Sequence, residues 1–144
     1  MIQRIQTIFL LLAAVAFAAL IPLPLATNLQ ESQGIFSDGK YSVRDNLVLE
    51  ILTGISILLL LISIFMYKKR KIQIGLNYIV IFLTILIIVV AYVYFSNQSF
   101  TITDSEIQKQ AGILMPVASM IFTALAIYFI RKDERLVKSM DRLR

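Results

Sequence analysis

The sequence predicts an all-α membrane protein, a single transmembrane domain over residues 1–144 that forms an antiparallel four-helix transmembrane bundle. Three observations predict it. Hydrophobic residues make up 58% of the chain and charged residues 16%, whereas about a quarter of a soluble domain is charged. Four apolar runs are each about 20 residues long, the length a helix needs to cross a bilayer. The basic residues gather at three positions that four crossings would bring to one side of the membrane.

These basic positions predict the cytoplasmic side. Residues 1–4, 68–71 and 131–144 hold eleven of the fourteen Lys and Arg residues but three of the nine acids. Loops and tails rich in Lys and Arg stay in the cytoplasm. We therefore predict a multi-pass protein of the cell inner membrane with both termini cytoplasmic, and we expect no nucleic-acid partner. The residues predicted to fix the topology and to face anionic lipid headgroups are Lys68, Lys69, Arg70 and Lys71.

The first apolar run, at about residues 7–26, is predicted to be a membrane anchor that runs outward. Ala14 and Ala18 are spaced so that a neighbouring helix can approach closely. Pro22 and Pro24 should end the helix at the outer surface. A cleaved secretory signal is the alternative and would leave three helices. The run is long for a signal peptide, and one cation precedes it, so the anchor interpretation is favoured.

Three further helices are predicted at about residues 47–67, 74–95 and 111–130. The outer loop around Asp38-Gly39 could form a short hairpin that pairs residues 35–36 with 40–43, because Asp-Gly suits a tight turn. The second outer loop alternates like a strand at residues 100–103. The two outer loops could therefore form a small extracytoplasmic β element.

Several residues bear on the start of the fourth helix. The acids of residues 104–106 are typical of a helix N-terminus, where they complement the helix dipole. Pro116 either kinks this helix or marks its true start. Ser119 and Thr123 are expected to face the interior of the bundle.

Two polar residues within the apolar helices are weak candidates for a function inside the membrane. Glu50 lies one turn inside the outer end of the second helix, where a carboxylate is favoured by the helix dipole. Asn77 lies near the inner surface and is expected to hydrogen-bond a neighbouring helix or headgroups. A buried functional carboxylate and a substrate role for the amide are the alternatives.

The tail at residues 131–144 is predicted to continue the fourth helix as an amphipathic cytoplasmic extension, because its apolar residues recur at helical spacing. Glu134 and Lys138 form a favourably oriented i,i+4 pair. The extension could lie on anionic lipid, or it could dock a cytoplasmic protein. The candidate docking residues are Arg131, Lys132, Arg135, Leu136, Lys138, Met140, Arg142 and Leu143.

The composition also bounds the chemistry. The chain has no cysteine and no histidine, which removes thiolate nucleophiles, the commonest general base and the commonest metal ligand. No catalytic, cofactor-binding or metal-binding residue is predicted. We therefore expect a non-enzymatic accessory or scaffold subunit that binds a partner protein or anionic lipid through its helices and basic tail, and that could be oligomeric. A small oligomeric transporter or channel is the alternative.

Both ends of the chain resemble a known family. Met1-Ile2-Gln3-Arg4-Ile5-Gln6 at the start and Ile130-Arg131-Lys132-Asp133-Glu134 near the end are similar to short four-helix inner-membrane proteins from Bacteroidota. The resemblance covers the whole length and is most specific in the tail, which continues with Leu136-Val137 and Asp141-Arg142-Leu143-Arg144. That family is uncharacterised. The resemblance implies a bacterial inner membrane and an anchoring first helix, but no activity, cofactor or site.

Overall fold

Helices dominate the computed structural model, which describes residues 2–28, 40–98 and 107–141. Its four helices are α1 Ile2–Leu20, α2 Leu47–Phe65, α3 Arg70–Gln98 and α4 Leu114–Asp141. Its three short strands are β1 Ala26–Asn28, β2 Lys40–Tyr41 and β3 Ile107–Lys109. Single 3-10 turns at Val43–Asp45 and Ala111–Ile113 lead into α2 and α4. The described residues therefore confirm four helices with a small β element.

Three of these helices are long and apolar enough to cross a membrane, because α2, α3 and α4 reach mean hydropathies of 2.6, 2.8 and 2.2 over such a span. The apolar part of α1, Ile5–Leu20, is shorter. The sequence predicted four spanning helices of similar length. Three are therefore supported as membrane-spanning by length and composition, and the crossing of α1 stays a prediction.

The ends of α1 and α3 differ from their predicted positions. The last turn of α1 closes with hydrogen bonds from the N–H groups of Ile21 and Leu23 to the carbonyls of Ala18 and Ala19. The predicted end near residue 26 is wrong, because Pro22 and Pro24 have no N–H and the next residues pair as β1. α3 begins at Arg70 instead of Ile74, so half of the basic cluster is helical.

The fourth helix also begins later than predicted. Residues 104–106 lie outside the described residues, but the next residues, Ile107–Lys109, form a strand. The prediction that a helix continues from those acids is therefore wrong. The helix starts at Leu114, and Pro116 lies in its first turn, where a missing N–H needs no helical partner. At the other end α4 continues to Asp141, which confirms the predicted helical extension over residues 131–141.

Helices α1 and α4 form an antiparallel pair with several contacts along their length. The Gln6 side-chain amide donates to the Phe129 carbonyl at 3.2 Å, and the Ser119 hydroxyl donates to the Ala13 carbonyl at 3.1 Å. The rings of Phe9 and Phe129 stack with centroids 5.3 Å apart. Small side chains permit this close approach. Helix α1 also contacts α2, and α3 contacts α2 and α4, which closes the bundle.

The small residues predicted at helix contacts are mostly buried. Ser119 and Thr123 are fully buried, as predicted, and Ala14 is 7% exposed. Ala18 is exposed, so its predicted contact is wrong. The buried face of α1 carries Ala13, Ala14 and Phe17. Three buried hydroxyls donate to carbonyls of their own helices, which satisfies them without a partner helix: Ser56 to Leu52, Thr84 to Val80 and Thr123 to Ser119.

The three strands form an antiparallel sheet in the order β2-β1-β3 at the end of the bundle where α1 ends. We call this the sheet end. Backbone hydrogen bonds extend the pairing, from the Leu25 N–H to the Tyr41 carbonyl at 2.7 Å and from the Gln110 N–H to the Leu25 carbonyl at 3.1 Å. The predicted hairpin paired residues 40–43 with residues 35–36. In the structure β2 pairs with β1, which corrects that prediction in part. Residues 35–39 and 100–103 lie outside the described residues.

Tyr41 attaches the sheet to the helices. Its side chain is 1% exposed, and its hydroxyl donates to the Ala91 carbonyl of α3 at 3.5 Å. Its ring lies 6.4 Å from that of Phe95. Burial, with a smaller contribution from the nearby Asp45 carboxylate, raises the pKa of Tyr41 to about 12. The phenol is therefore neutral at physiological pH.

Gly112 lies directly against the chain that follows α1. Its N–H donates to the Pro24 carbonyl at 3.2 Å. A Cβ atom at this position would lie 2.8 Å from the Pro24 carbonyl carbon and would also collide with the Pro24 carbonyl oxygen. Backbone atoms cannot move aside as a flexible side chain can. The turn before α4 therefore requires glycine.

We predict that Gly112→Ala lowers the free energy of unfolding by about 1–3 kcal/mol, because the added methyl overpacks a backbone contact. Thermal or denaturant unfolding of the protein in a mild detergent measures this. Gly75→Ala is the control, since a Cβ there meets nothing within 4 Å and alanine favours the helix by about 0.5–1 kcal/mol. Equal effects of the two substitutions would contradict the close contact.

Candidate functional site

The strongest concentration of charge lies at the end of the bundle opposite the sheet. Helix α2 ends at Phe65, and a hydrogen bond from the Lys69 N–H to the Met66 carbonyl at 2.9 Å closes the turn before α3. The turn residues Met66–Lys69, the first turn of α3 and residues 131–141 of α4 together form what we call the basic end. Lys68, Lys69 and Lys71 are exposed there. Exposed cations suit contact with headgroups or with an acidic protein surface.

An ion pair ties the extension of α4 to the start of α3. The Arg70 guanidinium lies 2.9 Å from the Asp133 carboxylate, and both side chains are largely buried. On the exposed surface Lys138 lies 2.8 Å from Glu134, one turn earlier in the same helix. The hydrogen bond from Lys138 holds the pKa of the Glu134 carboxyl below its usual value. The carboxylates of Asp133 and Glu134 are therefore each paired with one cation of the basic end.

A groove opens between α3 and α4 toward the basic end. It has a volume of about 690 Å³, and we call it the lateral groove. The α3 side supplies Tyr78 and Ile81. The α4 side supplies Ala124, Ile127, Tyr128, Arg131, Lys132, Arg135, Leu136 and Ser139. The Arg131 guanidinium lies over the Tyr78 ring, 5.4 Å from its centroid, a cation–π contact that orients the charge.

A second groove of about 650 Å³ uses a different face of α4. Its walls are the turn and first residues of α3, residues 67–72, together with Glu134 and Val137. The extension of α4 therefore lies between two grooves, and the cations of the second groove come from the turn and the start of α3. Lys68 lies 5.9 Å from the ring centroid of Tyr67 at this groove.

A buried polar cluster of Ser63, Gln73 and Asn77 lies one to two turns into the bundle from the basic end. The Ser63 hydroxyl donates to the Asn77 side-chain oxygen at 2.9 Å, and the Gln73 amide donates to the Ser63 carbonyl at 3.0 Å. Asn77 therefore bonds a neighbouring helix, as its position predicted. Within the described residues, Gln73 Oε1 and Asn77 Nδ2 have no hydrogen-bond partner. The cluster joins α2 to α3 in an apolar setting.

The other predicted residues are placed as follows. Glu50 is exposed in the first turn of α2, which weighs against a buried functional carboxylate. Lys132, Arg135, Leu136 and Lys138 are exposed on the extension. Met140 lies within α4, while Arg142 and Leu143 lie outside the described residues. In residues 2–28, 40–98 and 107–141 no group of three or more acidic side chains could hold a metal ion.

A family model for a domain of unknown function, DUF4293, matches residues 2–143. The chain belongs to the DUF4293 family. Neither the search of curated proteins nor the search of solved structures gave a match. Membership therefore confirms the predicted resemblance to an uncharacterised family, and any function has to be argued from the site itself.

Sequence reasoning missed two features of this DUF4293 chain. It treated Arg70 as one exposed cation of a run, whereas its ion pair with Asp133 joins two helices. It also gave no role to Gln6 or Gln73, which are both buried and donate to carbonyls of other helices. A usable signal existed for Gln73, because it lies four residues before Asn77 and therefore on the same helix face.

We predict that Ser63→Ala destabilises the bundle by about 0.6–1.7 kcal/mol, because it removes a hydrogen bond between helices. Thermal unfolding in detergent measures the loss. Ser56→Ala is the matched control, since both serines are buried in α2 but Ser56 bonds its own helix. If Ser56→Ala cost as much as Ser63→Ala, the contact with Asn77 would not hold the helices together.

Proposed function

We propose that the protein is a non-enzymatic integral membrane protein that binds an anionic phospholipid in the lateral groove, and that it acts as an accessory or scaffold subunit. The observation that carries this proposal is the order of side chains along the groove. Over the stretch from Ala124 to Arg135 the α4 lining changes from apolar to aromatic to cationic. A phospholipid changes in the same order, from acyl chain through glycerol to phosphate.

The dimensions of the groove support this match. Ala124 and Arg135 are eleven residues apart in one helix, which is about 16 Å at about 1.5 Å per residue. Ile127 is 6% exposed and forms part of the apolar lining with Ile81. Tyr78 and Tyr128 follow at the depth where aromatic rings favour the membrane interface. Arg131 and Arg135 then lie where a phosphate would sit.

The charge of the groove supports an anionic headgroup. Its lining residues include three cations and no carboxylate. The two nearest acids in α4, Asp133 and Glu134, pair with Arg70 and Lys138 instead. Each unneutralised cation near a lipid surface contributes about 1 kcal/mol to binding. A zwitterionic lipid would gain less from the same side chains.

A protein partner is the second candidate, and the second groove favours it. Lys68, Lys69 and Lys71 are exposed on the far side of the extension from Arg131, where they could meet an acidic protein surface. This arrangement supports a scaffold role in addition to lipid binding. The transporter alternative has less support, because a partly enclosed cavity at the sheet end is lined by apolar side chains and two tyrosines.

The membrane placement belongs to the same proposal. We propose that the basic end lies on the cytoplasmic side of an inner membrane, because moving a cluster of Lys and Arg across a bilayer is costly. Gln6 of α1 and Phe129 of α4 lie together near this end. Both termini would then be cytoplasmic, and α1 would make a fourth crossing.

The lipid proposal predicts that the double substitution Arg131→Gln and Arg135→Gln weakens binding of phosphatidylglycerol about 30-fold, since it removes about 2 kcal/mol of attraction. Native mass spectrometry of the protein in mild detergent, with titrated lipid, measures the affinity. Phosphatidylcholine serves as the zwitterionic comparison.

The matched control for this experiment is the double substitution Lys40→Gln and Arg44→Gln. It removes the same charge from exposed positions at the sheet end, away from the groove. Unchanged phosphatidylglycerol affinity is expected. If both double variants weakened binding equally, net charge alone would attract the lipid, and the proposal that it binds in the lateral groove would be refuted.

The placement predicts the side from which cysteines can be labelled. The chain has no cysteine, so single substitutions report without interference. Ala111→Cys at the sheet end and Ser139→Cys at the basic end are both exposed and leave every charge in place. In intact cells a membrane-impermeant maleimide should label the first variant, and the second only after permeabilisation. The opposite labelling pattern would overturn the proposed sidedness but would not bear on the proposal that the lateral groove binds lipid.

A further inference from the structure

A cavity of about 300 Å³ lies beneath the three-stranded sheet, at the opposite end from the lateral groove. Its lining comes from all four helices, from β1 and β2, and from the segments beside them: Leu20, Leu25, Ala26, Tyr41, Val43, Leu49, Ile87, Ile88, Ala91, Tyr92, Phe95, Ile113 and Pro116. Apart from the two tyrosine hydroxyls, these side chains are apolar. The cavity shares no residue with the lateral groove.

The cavity is closed on most sides and opens on one. Ala26 and Tyr41 of the sheet are buried, as are Leu20 and Leu49 of the two neighbouring helices. The exposed lining residues are Ile88 and Tyr92 of α3 and Ile113 in the turn before α4. The mouth is therefore lateral, between α3 and the start of α4. Since both helices are long and apolar enough to span a membrane, a mouth between them would open toward the lipid of the bilayer.

The lining excludes water as a suitable occupant. A buried water needs two to four polar partners. The Tyr41 hydroxyl is already directed at the Ala91 carbonyl, and Tyr92 is 70% exposed at the mouth. Cavities lined by Leu, Ile and Phe stay dry and take up apolar molecules, and the volume here is about twice that of an engineered cavity that binds benzene.

We propose that this cavity holds one acyl chain of a phospholipid from the membrane leaflet at the sheet end. The bilayer supplies acyl chains at the mouth, and a thin flexible chain can enter sideways between the two helices. Tyr92 lies at the mouth, where an aromatic residue with a hydroxyl suits the level of the ester and glycerol groups. The ligand class is thus a long-chain phospholipid, bound by its tail with little dependence on headgroup charge.

Contact quenching by brominated acyl chains tests this proposal. The chain has no tryptophan, so each single Phe→Trp variant reports from one position. Phe95 lines the cavity and is half-buried. Phe122 is also half-buried but does not line the cavity, and Phe82 is 65% exposed on α3. The three variants are reconstituted into phosphatidylcholine vesicles brominated at several positions along the chain.

Quenching in Phe95→Trp is expected to exceed that in Phe122→Trp by about twofold or more, and to approach that in Phe82→Trp, because a chain held in a cavity contacts the ring over much of its surface. Adding Ala91→Phe to Phe95→Trp fills the cavity and should return quenching to the level of Phe122→Trp. Thermal unfolding of each variant in detergent establishes that it is folded before quenching is measured.

Two results would overturn the proposal. One is equal quenching in Phe95→Trp and Phe122→Trp in folded protein. The other is quenching in Phe95→Trp that Ala91→Phe leaves unchanged, since the bromine would then contact the ring from outside the cavity. A brominated free fatty acid, added to the protein in detergent, tests the other possible source of an acyl chain. Quenching by that fatty acid but not by brominated phospholipid would assign the cavity to a free acid and refute the phospholipid tail.

Discussion

The antiparallel contact between α1 and α4 is the interaction on which the rest of the structure depends. It is held near one end by Gln6 and Phe129 and in the middle by Ala13 and Ser119, and it continues past the helices in the hydrogen bond from Gly112 to Pro24. Because the contact spans the bundle, it places the chain after α1 beside the chain before α4. The sheet forms between these two segments, and the cavity lies beneath it. The same pairing carries α4 beyond the start of α1, where its extension meets α3.

The helices could be predicted from the sequence because hydropathy is a local property. The tail extension was also predictable, since Leu136 and the pair Glu134 and Lys138 follow helical spacing. The beginning of α3 was not, because a run of cations looks like a loop until Asp133 is known to lie beside Arg70. That information is tertiary, and no local pattern carries it.

The sheet and the two ligand sites show the same limit. Strands of two or three residues are too short to show an alternation, so their pairing is set by where the helices end. The helical lining of the cavity is mostly apolar, with residues such as Leu20, Leu49 and Ile87 that are ordinary in any membrane helix. The lateral groove was predictable in part, because Arg131 and Arg135 belong to the basic tail that the sequence predicts as a docking segment. The contact of Arg131 in α4 with Tyr78 in α3 could be found only from the structure.

The ion pair between Arg70 and Asp133 has a consequence for how the tail can be studied. Deleting residues 131–144 would remove Asp133 and leave a largely buried guanidinium without its carboxylate at the start of α3. An unpaired buried charge is strongly destabilising, so truncation would disturb the turn and the nearby polar cluster as well. Loss of a partner after truncation would then report a damaged membrane domain. Residues on the outer faces of the extension can be exchanged one at a time with this anchor intact.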